Sequence, residues 1–392
     1  MAKINYSKTP FPWFGGKSDA AEVVWSALGD VDHYVEPFAG SLAVLMRRPH
    51  LANRPYYSET VNDLDGLIVN AWRAMQLKPR ETAEAASWPV TEVDLMARHI
   101  AIVRWRESNK LDQLLTDPAW CDPTMAGWWI WGQSCWIGSG WCSGTGPWYV
   151  DELGALCRHE RKRSGDEPGV SRQLPHLGND GQGANHPGVR EPGVSRRLPH
   201  LVSDGNGANH AGVREPGVST DVDDGRVFHP MTMPELLRWF EFLSARLRHV
   251  RIIQGDWSRA LTPSASKTLS VRTGDGICGV FLDPPYSTEA NRTMSIYTRD
   301  CGNVAHDVRA WCLANGEDKQ YRIALAGYDT EHIELESHGW RVVEWFKTGF
   351  LKGGRGNTST KGSQQNRERI WLSPHCIGET KIGQNIDMFG GL

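Results

Sequence analysis

"VFLDPPYS" (280–287) is an apolar run that ends abruptly on an acid, two prolines and a tyrosine. Val280, Phe281 and Leu282 read as the end of a buried strand. Pro284 and Pro285 forbid its continuation and hold the backbone stiff and extended. Asp283 and Tyr286 are thereby fixed on a rigid corner. Ligands of open α/β sheets bind beyond the carboxyl ends of the strands. An acid and an aromatic placed there suit a planar ligand carrying an amino group, the acid accepting from N–H and the ring stacking. The four letters alone are also compatible with a plain Pro-Pro turn in which Asp283 caps and Tyr286 fills core.

Outward from this corner, residues 1–78 and 228–373 alternate short β-rich runs with helical patterns, the texture of βα units around a mostly parallel sheet. Strands are expected over 33–36, 56–63, 250–254, 279–283, 322–326, 341–345 and 369–372. Helices are expected over 42–48, 64–75, 233–248, 304–314 and 330–337. Thr232 and Glu235 have the spacing of a capping box before the helix at 233.

Three further stretches resemble the first corner in design. "YVEPFAGSLAVL" (34–45) is a strand, a tight Ala-Gly-Ser turn and a helix, in which backbone can approach a ligand at a helix N-terminus. It is not G-x-G-x-x-G, so a dinucleotide is not indicated. "SETVNDLDG" (58–66) puts Asp63 near a strand end, where an acid can hold ribose hydroxyls. "IIQGDW" (252–257) ends a strand on Asp256 beside an aromatic. A carboxylate at a strand end is often only a helix cap. Three of them with a glycine turn suit a nucleoside-like cofactor.

Composition restricts the alternatives. The chain has 392 residues, 40% of them hydrophobic, and a formal net charge of −3, so attraction to phosphate has to come from local patches. None of its eight cysteines forms a C-x-x-C pair, which argues against a zinc site. The start, "MAKINYSKTPFPWFGGKS", lacks the apolar region of a signal peptide. The expectation is a soluble cytoplasmic protein with reduced thiols and no metal.

The middle of the chain has a different character. Residues 90–150 read as mainly helical and rich in tryptophan, ending in the glycine-punctuated "WIGSGWCSGTGPW" (136–148). Most of these indoles are expected in core. Trp136 and Trp141, inside the glycine-rich loop, are the ones expected to be exposed. Then "EPGVSRQLPHLGNDGQGANHPGVR" (167–190) is followed by "EPGVSRRLPHLVSDGNGANHAGVR" (191–214). From Arg158 to Arg226 there is no Trp, Phe, Tyr, Ile, Met or Cys. Such a segment buries too little apolar surface to offset its ordering entropy. It reads as a tandem duplication in a mobile surface insertion, with a repeated DNA-touching arm as the alternative. "KTGFLKGGRGNTSTKGSQQNRER" (347–369) carries Lys352, Arg355 and Lys361 among its cations, and reads as a basic hairpin loop for backbone phosphates or as a solvated hairpin.

"PWFGGK" (12–17), "EPFAG" (36–40), "ND" (62–63), "GDW" (255–257) and "DPPY" (283–286) occur in an order that resembles N6-adenine DNA methyltransferases of the Dam type. The resemblance covers about residues 10–78 and 228–373. It implies a Rossmann-like seven-stranded methyltransferase sheet that uses S-adenosylmethionine. Trp13 and Lys17 would then flank the methionine end of the cofactor. Glu36, Phe38 and Gly40 would line the cofactor turn, Asp63 would bind ribose and Asp256 adenine. Asp283, Pro284, Pro285 and Tyr286 would hold the target base, flipped out of double-stranded DNA. One departure is "FAGSLAV", which lacks the second glycine usual after E-P-F-x-G, so this chain differs from the pattern at Ser41–Leu42.

The expected organisation is a catalytic domain from 1–78 and 228–392, a helical target-recognition region over 79–163 and the repeat insertion over 164–227. N4-cytosine methylation uses the same chemistry, and a catalytically silent DNA-binding module is the reading from another class. The recognition sequence, the oligomeric state and a restriction endonuclease partner are not readable from these residues.

Overall fold

Strands buried on both faces need helices above and below them, and the central strands of this protein are of that kind. The computed structural model describes residues 9–13, 16–49, 57–108, 110–136, 141–142, 148–151, 156–158, 232–267, 276–285, 304–345 and 367–378. The strands are β1 (His33–Glu36), β2 (Ser58–Asp63), β3 (Trp148–Val150), β4 (Leu156–Arg158), β5 (Val250–Gln254), β6 (Cys278–Leu282), β7 (Tyr321–Tyr328), β8 (Arg341–Val343) and β9 (Glu368–Leu372). Every residue of β1 and β6 is buried.

Seven strands form one sheet in the order β5-β2-β1-β6-β7-β9-β8, and β3 and β4 form a separate antiparallel pair. β5, β2, β1, β6 and β7 run parallel. β9 runs antiparallel to both β7 and β8. The order reverses between β1 and β6: the chain leaves β1 toward β2 and β5 on one side, and builds the other side from β6 onward. The crevice above such a reversal is where ligands of open α/β sheets bind. The mostly parallel seven-stranded sheet agrees with the expected fold class.

Side-chain alternation divides the sheet between two cores. Tyr34, Phe281, Ala324, Ala326, Ile370 and Leu372 face one. Val35, Val280, Leu282, Ile323, Leu325 and Trp371 face the other. The helices are α1 (Ala21–Leu28), α2 (Gly66–Leu77), α3 (Pro79–Ala86), α4 (Glu92–Glu107), α5 (Gln113–Thr116), α6 (Pro123–Cys135), α7 (Met233–Leu247), α8 (Pro263–Ser266) and α9 (Val304–Asn315). The first core takes α1, α2 and α7, with α3, α4 and α6 packed onto them. The second is covered by α9. The helical stretch that follows α2 therefore shares a core with the sheet.

Local signals set the helix starts. Asp65, Thr91 and Asp122 accept from the backbone N–H groups of Leu67, Asp94 and Met125. Glu235 reaches back to the N–H and hydroxyl of Thr232 at 2.8 and 2.9 Å, as the capping box predicts. Two expected helices are not α-helices. In place of 42–48 there is only a 3₁₀ turn, Leu45–Arg47. In place of 330–337 there is a 3₁₀ segment, Ile333–His338. Leu42, where the first would begin, adopts φ +54°, a left-handed conformation that an α-helix does not contain. No described helix is long and apolar enough to cross a membrane. The repeats and the basic loop 347–366 lie outside the described residues.

Candidate active site

A cavity of about 360 Å³ opens over the carboxyl ends of β1, β2, β5 and β6. Trp13, Lys17, Glu36, Phe38, Gly40, Asp63 and Asp256 all line it, together with Asp283 and Pro285. Residues from five separate stretches of sequence are thus brought together. Pro284 is buried and does not line the cavity, and Tyr286 lies outside the described residues.

The turn after β1 is held by named bonds. Glu36 Oε2 accepts from the Tyr34 hydroxyl at 3.0 Å and from Leu45 N–H at 3.2 Å. Burial pushes the Glu36 carboxyl up to about 8, against the pull of those two bonds. Gly40 sits at φ +45°, and a Cβ there would lie 2.7 Å from Trp13 Nε1. Glycine both permits the turn and lets Trp13 rest on it. The Gly40 carbonyl accepts from Trp72 Nε1 at 2.8 Å.

Asp63, expected from the sequence to bind a ribose, is tied to the backbone on both sides. Its two oxygens accept from Gly40 N–H at 3.0 Å and Asp65 N–H at 2.9 Å, tying the β1 turn to the start of α2. Burial, the largest influence, pushes its carboxyl up to about 7, while these backbone bonds oppose it. Its neighbour Asn62 also lines the cavity, a position the motif letters alone do not assign a role. Asn62 Nδ2 donates to the carbonyls of Pro37 and Gly255 at 3.0 and 2.9 Å, clamping the loops after β1 and β5.

On the β5 side Asp256 is exposed. Its Oδ1 accepts from Ser258 N–H at 3.0 Å and from the Ser258 hydroxyl at 2.5 Å, capping the 3₁₀ helix Trp257–Leu261. Trp257 also lines the cavity, its ring centroid 6.2 Å from that of Phe38 and tilted by 23°. The "GDW" letters carried this aromatic, yet only the fold reveals Phe38 as its companion.

At the β6 corner, Asp283 Oδ1 lies 3.1 Å from Lys17 Nζ, and Glu368 Oε2 lies 3.9 Å from the same nitrogen. Lys17 was expected at the methionine end of a cofactor; in this structure its ammonium is paired with the acid of the corner. Glu368, the first residue of β9, had no signal in the sequence. Among the described residues, no cluster of His, Cys, Asp and Glu is placed to hold a metal ion.

The expected exposure of Trp136 and Trp141 is overturned. They are only 4% and 7% exposed. Trp136 stacks on His99 with centroids 4.9 Å apart and planes 8° apart, and Trp141 Nε1 donates to the Trp129 carbonyl at 3.1 Å. The absence of a side chain at Gly132 makes room for the Trp141 ring. Apolar ring area outweighed the glycine context. These two indoles do not face solvent. Lys352, Arg355 and Lys361 lie outside the described residues.

A seven-stranded sheet with one antiparallel strand, and a cavity at the reversal of strand order, define a Rossmann-like methyltransferase fold. Residues 13–92 match the family model of D12 class N6 adenine-specific DNA methyltransferases. The matched segment contains Trp13, Lys17, the β1 turn and Asp63, and the resemblance drawn from the motifs is met there. No curated protein matches the chain.

Proposed function

We propose that the protein transfers a methyl group from S-adenosylmethionine to the N6 amine of a flipped-out adenine in double-stranded DNA. The observation that carries this reading is the convergence of Asp283 with the matched N-terminal residues around one cavity at the switch point.

The cavity residues fit such a cofactor. Its volume is within the range of small-molecule sites. Among the described residues, Glu36, Asp63, Asp65, Asp256 and Asp283 line it with one lysine, Lys17, a set suited to ribose hydroxyls and to a cationic ligand. Phe38 and Trp257 offer two ring faces to a planar base. When bound, S-adenosylmethionine supplies an electrophilic methyl group and leaves as the neutral thioether.

The chain's own residues then have to make an amine reactive. The lone pair of an exocyclic adenine nitrogen is delocalised into the ring. A carboxylate at Asp283 accepts one of its N–H bonds, which favours a more tetrahedral nitrogen with its lone pair free. As the new N–C bond forms, the nitrogen becomes positive, and the same carboxylate stabilises that charge and takes or relays the proton that is lost. Lys17 fixes the orientation of Asp283 through Oδ1. Holding both reactants in line supplies much of the remaining acceleration.

An adenine amine is unreachable within a paired stack, so the target base has to be flipped out. The residues between the "ND" and "GDW" motifs are proposed to read the target sequence, and the basic loop 347–369 to hold phosphates without reading bases. Incubation with labelled S-adenosylmethionine and double-stranded DNA, followed by mass spectrometry of the nucleosides, tests the reading. N6-methyladenine is expected. N4-methylcytosine would move the activity to the other exocyclic amine, and no labelled nucleoside would leave a DNA-binding module.

A further inference from the structure

We propose that Glu368 is a positioning residue of this site. It shares the Lys17 ammonium with Asp283, so that the three side chains together present a net negative charge to the amine being methylated. The inference rests on the reading of function given above and adds a residue to it.

The topology brings Glu368 there. β9 runs against β7, so its first residue meets the last residue of β7, Glu368 opposite Tyr328, at the edge where β6 delivers Asp283. Lys17 arrives from the segment before α1 and is only 4% exposed. A buried ammonium has to be matched by acceptors. The arrangement supplies two carboxylates, at 3.1 Å and 3.9 Å. Asp283 paired with Lys17 alone would form a neutral couple, and the ammonium would draw on the electron density needed by the incoming N–H. A second carboxylate divides that pull.

Among the described residues, Glu36, Tyr328 and Arg367 do not take over this role. Glu36 on β1 is close enough for its carboxyl to respond to the charge on Asp283, but it is occupied by Tyr34 and Leu45. Tyr328 on β7 lies near Glu368 and Lys17 and carries no charge, because burial holds its phenol above the ordinary value. Arg367 lies over the Tyr328 ring at 5.3 Å and pairs with Asp329 at 3.0 Å.

The test compares Glu368→Gln with Glu368→Asp in the full chain, measuring kcat, KM for DNA, cofactor affinity by calorimetry, and melting temperature. Glu368→Gln keeps the shape and removes the charge. It is expected to lower kcat on the order of tenfold while KM and cofactor affinity stay within about twofold. Glu368→Asp keeps the charge and is expected to recover most of the lost rate. An unchanged kcat in Glu368→Gln, an equal loss in both variants, or a loss that follows cofactor affinity or melting temperature would overturn the proposal. Absence of methyl transfer by the unaltered protein would instead strike the reading of function, and this inference with it.

Discussion

Two turns face each other across the reversal of strand order, and they are made rigid in opposite ways. The corner after β6 is fixed covalently: Pro284 and Pro285 carry rings that remove backbone freedom before folding begins. The turn after β1 contains no proline between Phe38 and Leu45 and places two residues, Gly40 and Leu42, at positive φ. It is held only after folding, by Asp63, Trp72 and the burial of Leu42, which is fully inside the core. The corner proposed to meet a substrate amine is stiff by itself. The turn proposed to wrap a cofactor depends on its neighbours, and its left-handed leucine is offset by packing. Rigidity in one place is a property of the residues, and in the other of the whole fold.

The largest expected effect separates chemistry from binding at the stiff corner. Asp283→Ala is expected to reduce methyl transfer by about 3 kcal/mol in the barrier, the scale of a lost transition-state partner, with cofactor affinity nearly intact. Single-turnover rates and calorimetry on the same sample check it; retained turnover would remove Asp283 from the chemistry.

At the dependent turn, Leu42→Gly tests whether packing outweighs strain. Relief of the left-handed conformation is worth about 1 kcal/mol and the lost burial costs about 3, so the variant is expected to be less stable by about 2 kcal/mol in urea unfolding. A gain in stability would mean that strain dominates. The same turn makes a pH prediction. Burial holds Glu36 at about 8, above its ordinary 4.5, and Asp63 at about 7, above 3.8. Raised carboxyl values mean that their contribution to stability is complete below the unfolded-state values and is lost as pH rises through the folded ones. The ligand-free protein is thus expected to lose stability between about pH 4 and pH 8 from these two groups, and Glu36→Gln to flatten that fall in denaturation midpoints. The smallest effect concerns Asp256, whose replacement by Ala removes a cap and is expected to cost about 1 kcal/mol of stability. Its loss of cofactor affinity, read by calorimetry, is expected to exceed that of Asp283→Ala.

The two turns also mark how far the sequence could be read. The strand into Asp283 and the acids at 63 and 256 were legible because strand-ending motifs are local, and the strand bounds moved by only a few residues. The helix expected over 42–48 failed because periodicity does not reveal a left-handed backbone, although the missing glycine at Leu42 marked the place. Trp136 and Trp141 were misjudged because flanking glycines suggested an open loop, whereas Gly132, one helical turn earlier, had cleared space for an indole. Glu368 and the Asn62 clamp were invisible for a different reason. Their partners, Lys17 and the carbonyls of Pro37 and Gly255, are chosen by strand order, and no spacing within a short window encodes that.

The reversed direction of β9 has a consequence for the timing of synthesis. Lys17 leaves the ribosome early and Glu368 late, yet the two meet at one edge of the sheet. Contacts so distant in sequence close late in folding. A growing chain can assemble β1, β2, β5 and β6 with their loops while its buried ammonium still lacks a second carboxylate. Chains stalled before residue 367 in a translation reaction lack Glu368 and are therefore expected to transfer methyl groups at least about tenfold more slowly than the full chain, measured by labelled methyl transfer on such intermediates. The cluster around Lys17 is thus completed only by one of the last strands to be made.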